Sequence, residues 1–82
     1  MEIRFTQAAR RHRIGRASVR YVMATTTPTP MTTAQGNAAW HYLGNDERGR
    51  ELEIVAVEVA TGDQHPATLL VIHAMPTHLR EE

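Results

Sequence analysis

The sequence predicts an α+β fold: a short N-terminal strand, a helical hairpin, then a three-stranded antiparallel meander. The order is β-α-α-β-β-β, with the helices on one face of the sheet. Three observations carry this expectation. Apolar residues before residue 25 recur at helical spacing. The segment Thr25-Thr26-Thr27-Pro28-Thr29-Pro30 breaks regular structure, because each proline lacks a donor and pushes the residue before it to extended geometry. Residues 38–76 then alternate short apolar runs with glycine-containing turns. A chain of 82 residues makes one domain. It buries only roughly 60% of its unfolded surface, so one helical layer on one sheet is what it can build.

Glu2-Ile3-Arg4-Phe5 alternates polar and apolar, as a short strand does. Thr6 is placed to cap a helix over Gln7-Ala8-Ala9-Arg10-Arg11-His12-Arg13, and Ile14-Gly15 ends it, with the glycine in the position that tolerates a left-handed backbone. A second helix runs from Ala17 to Thr25, with Val19, Val22 and Met23 on one stripe. The first meander strand is Ala38–Leu43, with a weaker extension over Met31–Gln35. The second is Leu52–Val59 and the third Leu69–Met75, closed by Pro76. Turns fall at Gly44–Arg50 and Thr61–Pro66, and Thr77–Glu82 reads as a short helical turn. Register is open at this level, and a slip of one residue exchanges the two faces of a strand.

Composition narrows the chemistry. With no cysteine, disulfides, cysteine-based metal sites and thiol catalysis are excluded, and a cytoplasmic address is favoured. The start lacks the apolar region of a signal peptide, and Leu69-Leu70-Val71-Ile72 is far too short to span a bilayer. The formal charge is zero but unevenly spread. Residues 1–20 hold Arg4, Arg10, Arg11, Arg13, Arg16 and Arg20 against Glu2 alone, and the remainder is acidic. Every cation is arginine, whose planar fork matches phosphate and carboxylate. A basic front end of this kind points to a polyanion or an acidic partner.

Several residues can carry chemistry, each with a plainer alternative. His41 and His73 sit inside strand runs and titrate near neutrality, so they serve as acid, base or phosphate ligand, or else as packed histidines. Glu58 lies between strand valines, where a carboxylate can act as a base, or reaches solvent at the strand end. Arg48 and Arg50 flank Gly49 at a turn tip, placed either for a phosphate backbone or as solvated charges. Arg10, Arg11 and Arg13 form a basic stripe for nucleic acid or a docking face for an acidic partner. Trp40 and Tyr42 share a sheet face, as a base-stacking pair or as core. No HxH or HxxxH pair occurs, and His73 and His78 are separated by a proline, so no metal site is expected.

The order of short motifs resembles the RelE/ParE-like small bacterial toxins, especially their BrnT-like and related branches. The residues that carry the resemblance are Phe5-Thr6-Gln7-Ala8 with Arg10 and Arg11, then His12-Arg13-Ile14 ahead of Ser18-Val19. Tyr42-Leu43-Gly44, Gly49-Arg50-Glu51-Leu52 and Val71-Ile72-His73-Ala74-Met75-Pro76 complete it. It implies a single domain over 1–82, with the helical hairpin at 5–25, a Pro-containing loop at 26–37 and the antiparallel sheet at 38–76. It further implies the toxin of a type II toxin–antitoxin system, a ribosome-associated endoribonuclease held inactive by a cognate antitoxin and needing no cofactor. RNA would lie on the open sheet face, and its 2′-hydroxyl would attack the adjacent phosphate. Arg50, His73, His78 and Glu58 would be the catalytic candidates, an arginine stabilising charge while a histidine or carboxylate moves protons. Arg10, Arg11, Arg13, Arg48 and Arg80 would contact the nucleic acid. The alternative reading of the same residues is a non-catalytic binding module for a protein partner or nucleic acid, which suits the balanced overall charge.

Overall fold

Strand formation runs further along this chain than helix formation. The computed structural model describes residues 2–59 and 68–79. Its elements are β1 (Glu2–Phe5), a 3-10 turn (Ala8–Arg10), α1 (Arg16–Thr25), β2 (Thr29–Thr32), β3 (Ala38–Asn45), β4 (Glu51–Val59), β5 (Thr68–Pro76) and a closing 3-10 turn (Thr77–Leu79). The sheet order is β1-β5-β4-β3-β2. Strands β2 to β5 pair antiparallel in succession, and β1 joins the far side of β5 in parallel. No helix among the described residues is long and apolar enough to cross a membrane.

The expected β-α-α-β-β-β order with a helical hairpin is therefore corrected to a mixed five-stranded sheet with one helix. Thr6 does cap: its Oγ1 accepts the Ala9 N–H at 3.2 Å. The segment it caps is one 3-10 turn, not a helix to Arg13. Seven residues fall short of the roughly 12–15 at which a helix becomes even marginal on its own. Arg10 and Arg13 repel at i, i+3, and Ala9 is the turn's one buried residue, so no apolar face anchors further turns. The left-handed backbone falls at Arg13 (φ 56°), while Gly15 is extended (φ −65°, ψ 148°) and leads into α1. The expected loop at 26–37 contains β2. Pro30 is accommodated there because β2 is an edge strand. The second helix and the three long strands stand where the sequence places them, each extended by one or two residues.

One face of the sheet packs on α1. Trp40, Tyr42 and Gly44 of β3 line up with Ala56, Ile54 and Leu52 of β4, and these with Val71, Ala74 and Pro76 of β5. Ile3 and Phe5 extend the same face through Leu69 and Val71. Val19 and Val22 of α1 are fully buried against it. Trp40 and Tyr42 thus belong to the core and not to a stacking platform. Gly44 passes under the C-terminal end of α1, where any Cβ would collide with the Thr26 side chain.

A β-bulge decides what the other face carries. Val55 faces His73 while Ala56 faces Val71, so Ile72 is an extra residue in β5. Strict alternation from the buried Val71 would send His73 into the core. The inserted residue turns Ala74 and Pro76 inward and delivers His73 and Met75 to the outer face.

Candidate functional site

Two constellations stand out, on different parts of the molecule. The first is a groove of about 380 Å³ along β1, lined by Glu2, Ile3, Arg4, Phe5, Arg10, Arg16 and Arg20. Helix spacing explains the pair from α1: Arg16 and Arg20 are four residues apart and so share a face. Arg10 enters from the 3-10 turn and Arg4 from the strand. Phe5 anchors the wall, its ring capped by the Arg16 guanidinium carbon 5.4 Å from the centroid. Among the described residues Glu2 is the groove's one carboxylate, and it accepts from Arg4 Nε at 3.0 Å across an exposed pair. Arg10, Arg16 and Arg20 add exposed positive charge to the same lining.

The second constellation lies on the outer face, in the middle of the sheet. His41 on β3 and His73 on β5 both stand opposite Val55 of β4. Glu53, two residues along β4, reaches both rings: its Oε2 is 2.7 Å from His41 Nε2 and its Oε1 is 3.5 Å from His73 Nε2. Glu53 is 16% exposed, His41 27% and His73 37%. A carboxylate oxygen accepts, so His41 donates to Glu53 through Nε2. Leu43, Val55, Val57, Leu70 and Met75 share this face by register and give it an apolar surround. Among the described residues, no group of three or more histidines and carboxylates is placed to hold a metal ion.

The catalytic candidates do not converge. Arg50 stands in the β3–β4 turn, its guanidinium held by Asp46 (Nη2 to Oδ2, 3.0 Å; Nε to Oδ2, 3.1 Å). Burial by itself would raise the Asp46 carboxyl. The N–H groups of Arg50 and Arg48 and the Arg50 guanidinium outweigh it and hold the pKa below the ordinary value. His78 is exposed in the closing 3-10 turn, beyond the end of β5. Glu58 has the register of the α1-covered face, opposite Leu69, and is exposed near the end of β4. His73 alone of the four joins a cluster of titratable groups on the outer face. Among the nucleic-acid candidates, Arg10 lines the groove, Arg11 and Arg13 are exposed beyond it, and Arg48 is exposed at the hairpin tip. Arg80 lies outside the described residues.

Sequence reasoning misses Arg4, Arg16 and Arg20 as members of one site. The i, i+4 spacing of Arg16 and Arg20 is a readable signal, but their meeting with β1 is a tertiary event. Glu53 is missed because its pairing with His41 and His73 depends on register and on the bulge. In comparisons with known proteins, no family model, curated protein or solved structure matches this chain.

Proposed function

We propose that this protein is a small non-catalytic binding module that takes an anionic partner in the arginine groove beside β1. The observation that carries this reading is the meeting of Arg4, Arg10, Arg16 and Arg20 around one cavity with Glu2 as its carboxylate. Four forked donors concentrated in this way favour carboxylate or phosphate over any neutral ligand. A cytoplasmic setting accords with the absence of cysteine. The test is fluorescence anisotropy with labelled polyglutamate and labelled single-stranded RNA over a salt series. Affinity for at least one of them should fall steadily with salt. It should drop about tenfold in Arg16→Ala/Arg20→Ala, as for two exposed ion pairs of about 0.7 kcal/mol each. Binding that ignores both arginines, or no binding of either polyanion at low salt, overturns the reading.

A second reading, the endoribonuclease toxin restrained by an antitoxin, is favoured by one observation. His41 and His73 flank Glu53 on the outer face, and such a trio can shuttle protons between a 2′-hydroxyl and a leaving oxygen. Against it, Arg50, the arginine expected to stabilise the phosphate charge, is engaged by Asp46. If this reading holds, RNA is cleaved by wild type and not by His73→Ala or His41→Ala, and expression arrests growth. Intact RNA and unimpaired growth exclude it.

A further inference from the structure

We infer that the partner in the arginine groove is an extended acidic peptide that adds to the sheet as a strand along the free edge of β1. The inference rests on the anion-binding reading above and narrows its partner to one class. Its first support is topological. Among the described residues β1 ends the sheet, pairing with β5 on one side. In a parallel ladder alternate residues turn their backbone groups to the partner strand. The register and the Thr6 N–H bond to the Val71 carbonyl (3.0 Å) assign Glu2, Arg4 and Thr6 to β5. The N–H and C=O groups of Ile3 and Phe5 therefore face outward, along the groove that all four β1 residues line. Edge groups of this kind are a template for strand addition.

The second support is charge. Arg16 and Arg20 are one helical turn apart on α1, and both line the groove beside β1 with Arg10 and Arg4. Alternate residues of an extended peptide project to one face. Carboxylates at alternate positions of the added strand would thus gather on one side of it, where the groove supplies guanidinium groups. The third support is the Phe5 ring. With a guanidinium over one face and the ring packed against the core, it is a poor platform for stacking a base. The opposite edge of the sheet is β2, where Pro30 lacks a donor and no arginine occurs, so charge selects β1 over β2.

The experiment uses the full chain and four labelled probes. These are a peptide alternating Glu and Thr, the same peptide N-methylated on its Glu amides, the same peptide N-methylated on its Thr amides, and a single-stranded RNA. The unmodified peptide should bind. One methylated version should lose tenfold or more in affinity and the other should not, because only alternate amides face β1. Amide exchange at Ile3 and Phe5 should slow on binding, and Arg16→Ala/Arg20→Ala should weaken binding of the unmodified peptide about tenfold. Equal binding of both methylated peptides, or exchange at Ile3 and Phe5 unchanged, overturns strand addition while leaving the anion groove standing. RNA binding in place of the peptide overturns the acidic-peptide assignment in the same way. Failure of every probe overturns the groove reading with it.

Discussion

Replacing Asp46 by alanine removes the side chain that closes the β3–β4 turn. Its Oδ1 accepts the N–H groups of Arg48 and Arg50, both at 2.9 Å, and its Oδ2 accepts from Arg50 Nε at 3.1 Å. The carboxylate is fully covered, whereas the Arg50 side chain is 37% exposed. Hydrogen bonds to a charged acceptor contribute about 1.5–3 kcal/mol each. Arg48 is exposed, so water recovers part of the loss at its N–H. The three bonds share one carboxylate and their contributions do not add, so we expect Asp46→Ala to cost about 2–3 kcal/mol in total. Arg50→Ala removes only the ion pair and one side-chain bond, about 0.5–1 kcal/mol for a partner this exposed. Thermal unfolding followed by circular dichroism reads the difference. A domain of this size loses about 4–8 °C per kcal/mol, so Asp46→Ala should lower Tm by about 10 °C or more and Arg50→Ala by far less. The pH dependence has a definite sign. A carboxyl held below its ordinary value of 3.8 stabilises the fold fully above that value. The contribution fades as pH falls through the depressed pKa, and there the gap between wild type and Asp46→Ala should close. If Arg50→Ala is as costly as Asp46→Ala, the guanidinium and not the backbone network holds the turn, and the reasoning fails.

Packing sets three further outcomes. Gly44→Ala drives a Cβ into Thr26 and should cost about 1–3 kcal/mol. Thr26→Ala in the same chain should relieve part of that cost, and strict additivity in a denaturation double-mutant cycle would exclude the proposed collision. Deleting Ile72 removes the bulge but keeps Val71 opposite Ala56 and His73 opposite Val55, so His73 stays on the outer face and urea unfolding should show a loss of only about 1 kcal/mol, that of a half-buried side chain. A loss above about 3 kcal/mol would mean that Ile72 is not a simple insertion and that the register of β5 depends on it. Burial of Tyr42 raises its phenol above 10.0. Its neutral form stabilises the fold fully below that value, and stability should fall as pH rises through the raised pKa. Tyr42→Phe should lack this alkaline slope in pH-dependent unfolding, and equal slopes would show that another group is responsible.

Much of the scaffold is legible locally. The alternation of Leu52, Ile54 and Ala56 marks β4, and the stripe of Val19, Val22 and Met23 marks α1. Both patterns depend only on near neighbours and on a buried face. The expected first helix fails because its periodic alanines and arginines satisfy helical spacing without an apolar surface to dock. β2 reads locally as loop because Pro30 excludes an interior strand but not an edge, and edge position is a property of the whole sheet. Local pattern along the chain suffices for the basic front end, the lack of thiol chemistry and the period of each long element. Long-range pairing is what lays β1 parallel to β5 with its outer edge beside Arg16 and Arg20, and what brings His73 to Glu53. The reason is that strand pairing and a single inserted residue act between segments far apart in the chain, where no local pattern specifies the partner or the register.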